Sequence, residues 1–394
     1  DDLTVTDDAS VGGDLAVTGA LDVDGATTTD GITNAGNFET DGGTIKLDGN
    51  YPTGSDNVAL GDTALDDGSL SGGNNVAIGS AALTANTTGN RGTAVGKSAL
   101  AANTTGTENI AIGYQALDAN STGAANTAVG SEALGANTTA NYNTAVGVAS
   151  MILNTTGAQN TAIGALTLDA NTTASNNTGV GYAALTANTT GTENTALGRD
   201  ALGANTTANN NTAVAYRALY SNTTGTLNAA FGTAALLSNT TGNNNTAIGA
   251  LALDANTTSS NNTAVGYAAL GANTTGSENT AVGTEAMDAN TTGGDSVAFG
   301  YAALGANTTG SSNTALGYVA LTTNTTGQQN TAVGGGALDA SSTASYNTGV
   351  GYQALGGNTT GQENAALGTD TLLANTTGGR NTALGAYSLN ANTT

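Results

Sequence analysis

Asn75-Val76-Ala77-Ile78-Gly79 returns at a 17-residue step as Thr93-Ala94-Val95-Gly96, and then as Asn109-Ile110-Ala111-Ile112-Gly113. The same word marks Gly130, Gly147, Gly164, Gly181 and Gly198. It passes through one substitution, Ala215, resumes at Gly232 and runs on to Gly385. The step never varies, which makes nineteen units from Gly79 to Gly385 with no insertion or deletion. Asn57-Val58-Ala59-Leu60-Gly61 stands one position further back than the step requires and adds a slightly irregular twentieth. A fixed short period means that one supersecondary unit is stacked many times, so internal repetition decides the fold before local propensity does.

The columns of the repeat read as chemistry. The residue before the glycine is always Val, Ile, Leu or Phe, as in Ile78, Val95, Phe231, Phe299 and Leu384. Four residues after it stands Leu or Met in all nineteen units, and seven after it stands Asn in eighteen, with Ser341 the exception. That Asn usually opens Asn-Thr-Thr, often followed by Gly. A 17-residue unit broken by Gly and by Asn-Thr-Thr-Gly leaves no amphipathic stretch long enough for a stable helix. Strands fit: alternation puts the first and third residues of Thr-Ala-Val on one face and Ala on the other. Val76, Ile110 and Val297 in the Thr column point to that first face as the inward one. Asn-Thr-Thr-Gly is expected to supply the turn, since Asn and Gly tolerate positive φ. The expected fold is all-β, a parallel β-solenoid or β-roll of 17-residue coils, forming a rod of roughly 90 Å at about 4.8 Å per coil. Stacking sets like over like, so the Asn column (Asn86, Asn103, Asn137, Asn205, Asn273, Asn307) is expected to form a structural ladder of side-chain amides.

Composition narrows the function classes. Only 9% of the 394 residues are charged and 4% aromatic, while Gly numbers 58 and 38% are hydrophobic. Small apolar residues in such numbers suit thin stacked layers rather than one large core. With a net charge of −23 and six basic residues (Lys46, Arg91, Lys97, Arg199, Arg217, Arg380), phosphate neutralisation on nucleic acid is excluded and anionic membranes are disfavoured. No unbroken apolar run long enough to span a bilayer exists, so no helical membrane insertion is expected in this segment. The absence of Cys fits a secreted chain stabilised by stacking. Without His or Cys a nucleophile would need a Lys or carboxylate base, and Lys46 and Lys97 lack such a context, so no enzyme is expected.

Two domains are expected, an acidic β-rich shaft or cap over 1–56 and the repeat domain over 57–394. Residues 1–67 hold 15 of the 29 acids and one base. Leu3-Thr4-Val5, Leu15-Ala16-Val17 and Leu21-Asp22-Val23 read as short strands followed by Gly or Asp turns. Asp1, Asp2, Asp7, Asp8, Asp22 and Asp24 offer oxygen ligands for calcium, though a solvated acidic face is the plainer expectation and no cofactor is implied. The final Asn392-Thr393-Thr394 falls in mid-unit, and the chain reads as a piece of a longer protein.

Asn75-Val76-Ala77-Ile78-Gly79 and Asn109-Ile110-Ala111-Ile112-Gly113 resemble the YadA-like head repeats of trimeric autotransporter adhesins. Asp14-Leu15-Ala16-Val17-Thr18-Gly19 is similar to the shafts of bacteriophage tail fibres. The first resemblance spans 57–394 and the second 1–50; the unit here is longer than the family's usual coil. The resemblance implies a left-handed parallel β-roll built as a homotrimer that binds matrix or cell surfaces. The partners expected are the chain itself and a host-surface or matrix receptor, glycans included. The location expected is extracellular, on a cell surface or a virion tail.

Tyr114, Tyr182, Tyr267, Tyr301, Tyr318 and Tyr352, one residue after the glycine, form an intermittent aromatic column. They are candidates for surface contact, and packing between subunits is the preferred expectation. Each coil has only about two large apolar side chains plus several Ala, which suits Ala-rich faces meeting in a trimer. The leading functional expectation is a fibrous surface adhesin or tail fibre, a rigid rod for attachment. A structural subunit of an extracellular filament is the alternative, and an ice-binding solenoid, suggested by the paired Thr columns, is a minor one.

Overall fold

The computed structural model describes residues 56–394. These residues form a parallel β-solenoid of twenty three-residue strands, from β1 (Val58–Leu60), β2 (Val76–Ile78) and β3 (Thr93–Val95) to β20 (Thr382–Leu384). There is no helix among the described residues. Each strand pairs in parallel with its sequence neighbours, in register: Val95 lies beside Ile112, Ile112 beside Val129. The longer first step is absorbed outside the strands, since Val58 still pairs with Val76.

The strand faces are inverted relative to the alternation argument above. The central Ala of every triplet points inward, or Gly in two coils, and Thr and Val flank it on the outside. Ala94, Ala99 and Leu100 are fully buried, and the same three columns are buried along the rod. Alternation defines two faces without saying which is inner; the width of the coil decides. The Leu or Met four after the glycine already fills the narrow interior, so the facing strand can contribute only a methyl. Val76, Ile110 and Val297 in the Thr column therefore lie on the outer face. The Ala column of the strand and that three after the glycine therefore line the inside of one chain, and the Ala six after the glycine lies nearer the surface.

The turns are also made differently. Positive φ falls on residues two, four and twelve after the glycine, such as Ala81 (57°), Leu83 (51°) and Arg91 (56°), and not on Asn-Thr-Thr-Gly. An L-residue in this region costs roughly 1–2 kcal/mol. The inter-coil bonds offset that cost: Ala81 N–H donates to Asp62 O (2.8 Å) in the coil before, and Leu83 N–H to Ala99 O (3.0 Å) in the coil after. The repeat glycine itself is required. Gly130 sits at φ +137°, and a Cβ there would run into the carbonyl oxygen of Gly147. Ala215 occupies this position once, with φ moved to 108°.

Two columns of buried Asn hold the interior together. In the first, Asn103 Nδ2 donates to Asn86 Oδ1 (3.0 Å) and to Gly106 O (3.1 Å). The pattern recurs at Asn137 on Asn120 (2.9 Å), Asn205 on Asn188 (2.9 Å), Asn273 on Asn256 (3.1 Å) and Asn307 on Asn290 (2.8 Å). The second column, just before the strand, is a ladder that the spacing argument did not reach. Asn126 N–H donates to Asn109 Oδ1 (3.0 Å), and Asn126 Nδ2 to Ala140 O (2.8 Å). Its signal lies in the repeat: Asn fills this place in all but two of the nineteen regular units, Gly92 and Ser296 standing there instead. Both ladders converge on one carbonyl per coil, that of the residue ten after the glycine.

Asn205→Ala removes donors to Asn188 Oδ1 and Ala208 O and the acceptor for Asn222 Nδ2. Stability should fall by about 1–3 kcal/mol, the cost of buried polar groups left unpaired. A thermal and denaturant melt of this variant against wild type checks the value; an unchanged midpoint would remove the ladder as a stabilising element.

Candidate interaction surfaces

Three outward columns are candidates for contact with other molecules. The first is the strand face. Its two outer columns hold Thr, Val, Ile or Ala on one side and Val, Ile, Leu or Phe on the other, with no charged residue in any of the twenty strands. Ile112, Phe231 and Ile248 are 40–43% exposed and Phe299 53%. Stacking in register makes the Val, Ile, Leu and Phe column one continuous apolar stripe along the rod, flanked by a column that is mostly Thr.

The second surface is the Tyr column. Tyr114, Tyr182, Tyr267, Tyr301, Tyr318 and Tyr352 are all exposed. They stand one residue beyond the glycine that ends the apolar strand, so their column borders the stripe. Only Tyr301 and Tyr318 meet ring to ring among the described residues, stacked at 5.6 Å between centroids. The negative charge of Glu285 is the main cause that raises the Tyr301 phenol's pKa above its ordinary value. Two further tyrosines join cations: the Arg199 guanidinium lies 4.9 Å from the Tyr216 ring centre, and Arg217 lies 4.4 Å from that of Tyr220. Tyr216 belongs to the same column, with Ala215 in place of its glycine.

The third is the Thr pair. The first Thr is tied down, as where Thr104 Oγ1 donates to Ser121 O (3.0 Å). The second, from Thr88 through Thr207 to Thr377, is exposed in every coil. The Asn that precedes each pair is buried, which closes the Asn-x-Thr sequence to sugar attachment once the chain is folded.

Cations and carboxylates are sparse and peripheral. Arg91–Glu108 (2.5 Å) and Arg380–Glu363 (2.9 Å) join adjacent coils at exposed positions, where such pairs add little stability. Among the described residues no group of three or more His, Cys, Asp or Glu is placed to hold a metal. The Asp cluster considered for calcium, and all but the last residue of the shaft or cap over 1–56, lie outside the described residues. No helix among the described residues is long and apolar enough to cross a membrane. No family model matches the chain, and no curated protein matches it.

Asp118, Asp254, Asp288 and Asp339 are half-buried, and desolvation pushes each carboxyl above its ordinary pKa of 3.8. Glu132 adds to the effect on Asp118 and Glu285 to that on Asp288. With folded-state pKa raised, the folded chain binds protons more readily than the unfolded one. These four groups therefore make the rod more stable as pH falls from neutral through their raised pKa values, and the gain levels off below the unfolded value. The melting temperature should rise on acidification toward pH 4. The quadruple variant D118N/D254N/D288N/D339N should melt higher at pH 7 and gain less on acidification; an identical pH slope in both proteins would refute this.

Proposed function

We propose that the chain is an extracellular fibrous adhesion protein: a rigid rod that associates with copies of itself through the strand face and attaches its bearer to a host or matrix surface. The unbroken apolar stripe carries this reading. Soluble monomers rarely expose contiguous apolar patches beyond a few hundred Å². At roughly 50 Å² per half-exposed side chain, twenty strands place on the order of 1,000 Å² on one face, above the roughly 800 Å² per partner of a standard interface. The charge-bearing columns all lie elsewhere on the coil, so a second copy covers the stripe without desolvating a charge.

A parallel homotrimer satisfies the geometry. Three stripes around one axis keep equal coils at equal height, and cyclic closure buries each stripe with no face left over. The threefold number itself comes from the resemblance to adhesin head repeats. Exposed Tyr bordering the stripe suits an interface rim, where aromatic residues are enriched. The outer columns then remain free for many weak, repeated contacts with a receptor or glycan, which together give avidity.

Sedimentation of the full chain should give a sharp species near three times 37.8 kDa. Ile248→Lys with Val265→Lys, two outward side chains in adjacent coils, should shift it to monomer and weaken binding to host-cell surfaces at least tenfold. A wild-type monomer would refute self-association through the stripe. An open-ended series of polymers that bind no surface would move the assignment to a structural filament.

A further inference from the structure

The first Asn ladder has one altered rung. Ser341 stands where the other coils from Asn86 to Asn392 carry Asn. Ser341 and Asn324 are fully buried, and neither Ser341 Oγ nor Asn324 Oδ1 has a hydrogen-bond partner in the protein. The neighbours are short of partners as well. Asn358 Nδ2 donates to Gly361 O (2.9 Å) but to nothing in the coil below, whereas Asn375 Nδ2 reaches both Gly378 O and Asn358 Oδ1 (3.0 Å each). Ala344 O accepts only from Asn330 Nδ2 (2.8 Å), whereas Ala140 O accepts from Asn126 (2.8 Å) and Asn137 (3.2 Å).

We propose that this rung is a binding site for one internal water molecule, which takes over the bonds of the absent carboxamide. Its two protons go to Asn324 Oδ1 and Ala344 O. Its oxygen accepts from Asn358 Nδ2 and from the Ser341 hydroxyl. Four partners are what a well-held buried water makes, and a side chain two heavy atoms shorter than Asn leaves room on the scale of the roughly 30 Å³ a water occupies. The mix of groups selects water over an ion. A cation at this point meets the Asn358 N–H, and an anion meets the Asn324 carbonyl oxygen. Water alone offers donors to one pair and acceptors to the other.

The second ladder shows why serine by itself does not create such a site. Ser296 replaces Asn there, yet its Oγ donates to Gly294 O (3.1 Å) and accepts from Asn313 N–H (3.1 Å). At Ser341 the hydroxyl finds neither. Beyond the repeat glycine, Gly335, Gly336, Gly349, Gly356 and Gly357 fall in the same two coils. Glycine lowers the cost of transient opening, and that gives water a route to the rung.

The test is a water-resolving structure of the full chain, with Ser341→Asn and Ser341→Ala solved alongside. Wild type and S341A should both show one water within hydrogen-bond distance of Asn324 Oδ1, Ala344 O and Asn358 Nδ2. In S341N the new carboxamide should stand in its place. In solution, water ¹⁷O relaxation dispersion should count one fewer long-lived water per chain in S341N than in wild type. A dry rung in wild type, a direct bond from Ser341 to Asn324, or an equal count of long-lived waters in S341N and wild type would each overturn the proposal.

Discussion

Thr93 N–H reaches up to Asn109 O (2.8 Å) while Gly96 N–H reaches down to Ile78 O (2.7 Å), and some version of this pair recurs in every coil between the two ends. These bonds close only if the backbone returns, after each full repeat, to the same point in cross-section one rung higher. Nearly everything else follows from that demand. The residues held at positive φ turn the chain so that neighbouring N–H groups reach both adjacent coils, Ala81 N–H the coil before and Leu83 N–H the coil after. The repeat glycine exists because carbonyls of successive coils pass too close for a Cβ. Asn fills the interior because its amide bonds both its own coil and the next one. A coil this narrow holds a core only one Leu or Met and two small side chains wide, and repeated vertical pairing adds to the stability of that thin column.

Much of this was legible in the residues. The period, the absence of helix, the parallel register and the first Asn column follow from spacing alone. The orientation of the strand did not. Thr-Ala-Val separates Ala from Thr and Val by alternation, and larger apolar side chains ordinarily face inward. What reverses the choice is the volume already taken by Leu100 and its equivalents, a property of the closed cross-section that no single strand displays. The turns misled for a related reason. Asn and Gly are the usual residues of positive φ, yet here Ala, Leu and even Arg occupy it, held by bonds to the coils above and below.

The surfaces were legible in part. The Tyr column could be read as exposed, and the structure places all six of its named members there. The continuous apolar stripe could not be read so long as Val and Ile were assigned to the core. The second Asn ladder was written plainly in the repeat, but an Asn directly before a strand reads as turn chemistry until the carbonyl it bonds across the coil is known. The pairing of Arg199 with Tyr216 and of Arg217 with Tyr220 likewise depends on side chains leaning across neighbouring positions, which spacing does not predict.

Every strand pairs only with the strands just before and after it in sequence. No strand pairing ties one end of the rod to the other, so loss or duplication of one whole coil leaves all remaining bonds in place. Length is then a property that unequal recombination between the repeats adjusts in steps of one coil, without a misfolded intermediate form. On the proposed reading of the rod as an attachment fibre, reach becomes a heritable variable that changes in steps while the chemistry of each coil stays the same.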